Sequence, residues 1–243
     1  MSILLAGAGP DPAAFPELFD RFVRDVREHS GGEGPVRIAL ALHHRSGNPG
    51  EALPEYAEPL LARAPVELVP VLLSSAYPAD PAVFDGVHGV VVGGGLTPAY
   101  WDGLSAAAAA ISRVVGAGTP YLGFSAGAMV APRRALIGGH LIHGIEVCGG
   151  ECSEGLAEVE IRDGLGLAPF AVDVHAAQAG TLSRAVGAVA GGLVDRAVAI
   201  DEDTALVLAA PENDGFEVLG RGTCWDVRRS GTGCSVSVLR AAE

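Results

Sequence analysis

Short runs that are apolar at nearly every position recur along the first half of the chain. They are Ile3–Ala6, Val36–Leu42, Val66–Leu73, Val87–Val92 and Pro120–Phe124. Such runs predict strands buried on both faces. Between them, Phe15–Glu28, Leu53–Arg63 and Tyr100–Val115 repeat their apolar positions every three or four residues, which predicts helices. Strands alternating with helices predict an α/β fold: a doubly wound, mostly parallel sheet with helices on both faces. From Val66 onward the predicted βα loops are short, as in βαβ units.

The pattern changes after about residue 140. Glu146–Ile161 reads as extended structure containing a turn at Cys148–Cys152, and Gly164-Leu165-Gly166-Leu167 as a loop. Phe170–Val174 then predicts a strand and Leu182–Val194 a helix. From Ala197 the runs shorten to Ala197–Ile200, Ala205–Leu208, Glu217–Leu219, Cys224–Val227 and Ser235–Leu239. Turns such as Asn213-Asp214-Gly215 separate them, predicting a C-terminal β-hairpin region. With no internal repeat, low-complexity tail or linker, 1–243 is expected to form a single domain.

Composition narrows the function. Hydrophobic residues make up 49% of the chain and charged residues 19%, which is incompatible with disorder. The net charge of −13 excludes nucleic acid and anionic membranes as expected partners, and suits either cationic substrates or plain solubility. All sixteen basic residues are arginine, so chemistry that needs a lysine Schiff base or a phosphate-loop lysine is excluded. The N-terminal segment has no basic region and no long apolar run, and no stretch reaches transmembrane length, so a cytoplasmic location is expected. Cys148, Cys152, Cys224 and Cys234 follow no zinc spacing, so no metal and no cofactor are expected.

The candidate chemistry centres on Gly123-Phe124-Ser125-Ala126-Gly127-Ala128. An apolar run leads into it and small residues follow, which describes a strand, a sharp turn and a helix start with a serine at the turn. The same six residues also describe an ordinary turn, so partners matter. An acyl-transfer serine needs a base, and of seven histidines His175 follows a strand-like run, as Ser125 does. The base needs an orienting acceptor. Asp201-Glu202-Asp203 ends another predicted strand, and Asp173 is a rival on the histidine's own strand. Oxyanion amides would come from Ala126 and from Gly93-Gly94-Gly95. Gly7-Ala8-Gly9-Pro10 lacks dinucleotide-binding spacing.

In their order these stretches resemble the cyanophycinase and dipeptidase E group of serine peptidases, which have a class I glutamine amidotransferase-like fold. The match spans about residues 85 to 225 and includes Gly164-Leu165-Gly166-Leu167 leading to Asp173-Val174-His175, Ile200-Asp201-Glu202-Asp203-Thr204-Ala205 and Gly220-Arg221-Gly222-Thr223. The resemblance implies Ser125 as nucleophile, His175 as base and, by its cyanophycinase branch, Glu202 as third member. It implies Gly95 and Ala126 as oxyanion donors, substrate contacts at Gly94, Leu96, Asp173, Gln178 and Arg184, and a homodimer. Leu96 stands where the family has Asn or Gln, Val174 where it has Gln, and Ala179 and Thr181 where arginines are expected, so polymer recognition is not expected. The expected substrate is a dipeptide or isoaspartyl peptide with an acidic acyl side. An acyl transferase using the same serine and an inactive binding or regulatory homologue are the alternatives.

Overall fold

The computed structural model describes every residue except Met1, Glu33, Arg45, Ser75 and Glu243. In chain order, β1 (Ile3–Ala6), α1 (Pro16–Ser30), β2 (Val36–Leu42), α2 (Leu53–Leu61), β3 (Val66–Leu72) and β4 (Gly89–Val92) come first. Then follow α3 (Thr97–Leu104), α4 (Ala108–Gly116), β5 (Tyr121–Phe124) and α5 (Ala126–Val130). Next are β6 (Arg134–Gly138), β7 (Leu141–Ile142), β8 (Ile145–Glu146), β9 (Glu160–Asp163), β10 (Ala171–Val174) and α6 (Leu182–Ala190). The chain closes with β11 (Arg196–Ile200), β12 (Thr204–Leu208), β13 (Glu217–Gly220), β14 (Cys224–Ser230) and β15 (Gly233–Leu239).

A seven-stranded sheet has the order β13-β12-β1-β5-β4-β2-β3. Its five strands from β1 to β3 run parallel, and β12 and β13 add antiparallel at one edge. Side chains alternate between its faces. Leu4, Ile38, Leu40, Val91, Leu122 and Phe124 pack with Phe19 and Phe22 of α1 and Leu60 of α2. Ile3, Leu5, Ala39, Val90, Val92 and Tyr121 pack on the other side with Leu104 of α3 and Ile111 of α4. This is the mixed α/β architecture, with a mostly parallel central sheet flanked by helices, that the apolar runs predict.

Several expectations change in detail. The C-terminal strands form the expected hairpins, β12–β13 and β14–β15, but these divide between sheets: the first edges the seven-stranded sheet, and the second joins β10 and β11 in a sheet of order β10-β11-β14-β15 that carries α6. Its buried positions, such as Val172, Val198 and Val227, extend the core on the second face. The helix expected over Tyr100–Val115 starts earlier and is broken into α3 and α4 by a 3-10 turn at Ser105–Ala107. Ser105 Oγ donates back to the Asp102 carbonyl, the kind of bond that bends helices. The α6 helix stops at Ala190, because Gly191 and Gly192 (φ +80°) end it. The extended structure expected over Glu146–Ile161 is mostly loop, with a 3-10 turn at Gly150–Cys152. Among the described residues no helix is long and apolar enough to cross a membrane.

Candidate active site

Five strand ends meet at one edge of the molecule. Ser125 follows β5, Gly93-Gly94-Gly95 follow β4, His175 follows β10, Glu202 follows β11 and Gly7 follows β1. Backbone bonds lock these ends together. The Ser125 amide donates to Ala6 O (3.0 Å), the His175 amide to Gly7 O (3.1 Å), the Gly7 amide to Thr204 O (2.9 Å) and the Gly127 amide to Gly93 O (3.1 Å).

Ser125 has φ +47° and ψ −105°, a conformation that side-chain-bearing residues rarely adopt. The flanking glycines make the turn possible. A Cβ on Gly123 would stand 2.5 Å from Gly127 O, and one on Gly127 would stand 2.3 Å from Val92 O. The sharp strand-to-helix turn therefore lifts the serine hydroxyl clear of the sheet.

The hydroxyl reaches an imidazole. Ser125 Oγ lies 3.0 Å from His175 Nε2, and His175 Nδ1 lies 2.7 Å from Glu202 Oε1. A carboxylate only accepts, so Nδ1 carries the proton and Nε2 is left to accept from Ser125. His175 also has positive φ, +56°, held by the Gly7 bond. Gln178 Oε1 accepts the Glu202 amide at 3.0 Å, and Asp201 Oδ1 accepts the Ala177 amide at 3.0 Å, so the 176–179 segment is pinned against the acidic turn. The Gly95 and Ala126 amides have no acceptor among the described residues. Ala126 is the first residue of α5, where the N–H has no partner within the helix.

A cavity of about 350 Å³ opens over these groups, lined by Gly95, Ser125, Met129, Val174, His175, Ala179, Thr181 and Arg184, together with Glu151, Cys152 and Glu154. Burial pushes the Cys152 thiol up, against the Arg184 charge, so its neutral form is favoured. Among the described residues no group of three or more His, Cys, Asp or Glu side chains is placed to hold a metal ion.

The expected substrate contacts fare unevenly. Of the five, only Arg184 lines the cavity, beside Gly95, Ser125 and His175; Gly94, Leu96, Asp173 and Gln178 do not. The Gly94 amide is taken by Tyr56 Oη at 2.8 Å. Leu96 stands half-buried just before α3. Asp173 is corrected most sharply: its side chain is 0% exposed, and its oxygens accept from Arg184 Nε (2.8 Å), Arg184 Nη2 (2.6 Å) and the Val174 amide (2.9 Å). It neither faces a substrate nor competes with Glu202 for the histidine. Arg184 is thereby committed as well, and its Nη1 donates to Cys152 O (2.6 Å) and Gly139 O (3.3 Å).

Met129, Glu151, Cys152 and Glu154 are cavity residues that no sequence expectation names, whereas Ala179 and Thr181, which stand where the family has arginines, do line it. Met129 lies one helical turn after Ser125, a spacing that puts both on one side. Glu151 lies in the turn expected at Cys148–Cys152, and Gly155 signals that the turn runs on past it, which brings Glu154 to the cavity as well.

No family model matches the chain, and neither does any curated protein. Among solved structures it is similar to a peptidase from an acI-B1 Actinobacterium, with 17% identity and a TM-score of 0.63 over 100% of this chain and 95% of that one. It is also similar to a peptidase E-like protein from Listeria monocytogenes EGD-e, with 14% identity and a TM-score of 0.55 over 91% of this chain and 98% of that one. At these identities the likeness establishes the fold.

Proposed function

We propose that this protein is a serine hydrolase that cleaves a peptide or isopeptide bond in a small substrate, with Ser125, His175 and Glu202 as its triad. The observation that carries the reading is the unbroken relay from Ser125 Oγ to His175 Nε2 (3.0 Å) and from His175 Nδ1 to Glu202 (2.7 Å), beside two amides, of Gly95 and Ala126, that have no acceptor among the described residues. An inactive homologue would have no need to hold Ser125 in a costly backbone conformation against a histidine.

In the proposed reaction Ser125 Oγ attacks the carbonyl carbon as its proton passes to His175 Nε2. The carbonyl oxygen becomes an oxyanion that the Gly95 and Ala126 amides stabilise. The C–N bond breaks, the amine leaves with the proton from His175, and the acyl group stays on Ser125. Water then attacks the ester, giving its proton to His175, and the acid departs as Ser125 regains a proton. Glu202 stabilises the imidazolium formed in each half.

The cavity volume lies at the low end of small-molecule sites, roughly 300–1000 Å³, which fits a dipeptide-sized ligand rather than a polymer. An acidic acyl side, as the resemblance implies, finds little support there. Arg184, the one arginine among the described lining residues, is already paired with Asp173, and Glu151 and Glu154 lie in the same wall. We therefore favour neutral or amine-bearing small peptides over isoaspartyl ones.

The test is labelling with a serine-reactive fluorophosphonate followed by peptide mapping. Wild type should be labelled at Ser125 and Ser125→Ala should not. Equal labelling of the two, or labelling of neither, sinks the reading. Product analysis separates hydrolysis from acyl transfer: with water as the only acceptor a hydrolase turns over to the free acid, whereas an acyl transferase turns over only when an amine acceptor is added.

A further inference from the structure

Two buried phenols stand beneath the glycine strand end. Tyr100 is 0% exposed and Tyr56 is 5% exposed. Tyr100 Oη lies 3.1 Å from Gly94 O and accepts the His43 amide at 3.1 Å; the His43 carbonyl is farther, at 3.4 Å. Its single proton therefore goes to Gly94 O. Tyr56 Oη accepts the Gly94 amide at 2.8 Å. Burial pushes the Tyr56 phenol up to about 12 and the Tyr100 phenol higher still, so both keep their protons at any ordinary pH.

The described chain has no cis peptide bond. In the Gly94–Gly95 peptide the C=O and the N–H therefore point to opposite edges. Once Tyr100 draws the Gly94 carbonyl toward itself, the Gly95 N–H is turned away from Tyr100, to the side where Gly95 and Ser125 line the cavity together. Tyr56 fixes the preceding peptide plane and withdraws the Gly94 amide from the site. Gly93 makes room for both rings: a Cβ there would stand 2.7 Å from Tyr100 Oη and 3.1 Å from Tyr56 Cζ.

We propose that Tyr56 and Tyr100 are positioning residues that clamp the Gly94–Gly95 peptide so that its N–H, and not its carbonyl, is presented to the developing oxyanion. The proposal rests on the hydrolase reading above. The need for a clamp follows from the sequence. Consecutive glycines have no side chain to bias their dihedrals, so an unheld Gly94–Gly95 peptide can turn over. A turned peptide would place a carbonyl oxygen against an oxyanion, which repels it.

The test uses an alkyl fluorophosphonate on the full chain. Ser125 Oγ bonds to phosphorus, fluoride leaves with the electrons of the P–F bond, the serine proton passes to His175, and the phosphoryl oxygen takes the oxyanion position. A concentration series gives a maximal inactivation rate and a half-saturating concentration. Tyr100→Phe should lower the maximal rate about 10–100-fold, less than the roughly 100–1000-fold loss of an oxyanion donor because the amide is loosened and not removed, and leave the half-saturating concentration unchanged. A merely structural tyrosine would not split the two constants in this way. A wild-type maximal rate in Tyr100→Phe, or a change confined to the half-saturating concentration, overturns the clamp. A wild-type chain that does not label at Ser125 overturns the hydrolase reading and the clamp with it, so the two failures are told apart. Should Tyr100→Phe not fold, Tyr56→Phe carries the same expectation, and a wild-type rate there overturns the clamp.

Discussion

Three consecutive carboxylates at the end of β11 have three different surroundings. Asp201 is buried and accepts from the Ala177 amide, the Thr223 amide (3.0 Å) and Trp225 Nε1 (3.1 Å), so it ties the turn to its neighbours. Glu202 points the other way, to His175. Asp203 takes a positive φ of +51° as the chain turns into β12. Glu202→Gln should keep the fold and lower the phosphonate labelling rate by about 10–100-fold. The loss is held to that range because the Glu202 side chain is 43% exposed and water shares its task. Asp201→Asn should act on stability instead, seen as a lower urea midpoint, because it weakens three bonds, one of them to the buried Thr223 amide. Equal labelling of Glu202→Gln and wild type would remove Glu202 from the proposed triad. The serine and the glycines are legible in the sequence because they follow adjacent strands of the parallel sheet; the histidine is legible as a residue at a strand end, but its strand belongs to the second sheet, and the bond of its amide to Gly7 O brings it to the same edge. Which of three adjacent acids turns inward is not legible, because a single turn decides it. Tyr56 and Tyr100 are hidden for another reason: as apolar-face helix residues they look like core.

At the scale of elements, β10 and α6 are joined by a buried ion pair. Asp173 and Arg184 are 0% and 2% exposed, and Arg184 also holds the carbonyls of Gly139 and Cys152. The pair thus fastens the strand that carries His175 to the turn that walls the cavity. Replacing one partner leaves the other charge buried and unpaired. Arg184→Met should cost about 3–5 kcal/mol, read from urea unfolding, and Asp173→Asn combined with Arg184→Met should recover a large part of that loss. If the double variant is no more stable than the single one, the pair is not the source of the cost. The sequence shows Asp173 and Arg184 as polar residues near a candidate histidine, which reads naturally as substrate contact. Their mutual neutralisation depends on a crossing of strand and helix that no local pattern encodes. The parallel strands, by contrast, are legible almost to the residue: the expected and observed limits of the first two, Ile3–Ala6 and Val36–Leu42, agree. Burial on both faces makes nearly every position of such a strand apolar, Arg37 of β2 being half-buried. The division of the C-terminal strands between two sheets is not, since short alternating strands carry no mark of their partners.

At the scale of the whole molecule, charge decides which substrates approach. The chain carries −13, Glu151 and Glu154 of that total line the cavity, and the Arg184 side chain there is paired with Asp173. A surface of one sign with a like-signed cleft concentrates oppositely charged ligands, and salt screens that attraction over about 10 Å at 0.1 M. Three dipeptides of similar size, one with a basic side chain, one neutral and one acidic, should therefore separate in kcat/KM at low ionic strength, in that order. Raising sodium chloride from about 0.02 to about 0.5 M should lower the value for the basic peptide by about threefold or more and leave the neutral one unchanged. The acidic peptide should gain, because its repulsion is screened. The salt series matters more than the ranking. A ranking alone could reflect the fit of each side chain against Met129, Val174 and Ala179, which salt does not alter, whereas convergence of the three values in high salt has only an electrostatic origin. If the three peptides keep fixed ratios across the series, the acidic surface serves solubility alone, and selectivity must be sought in the shape of the cavity.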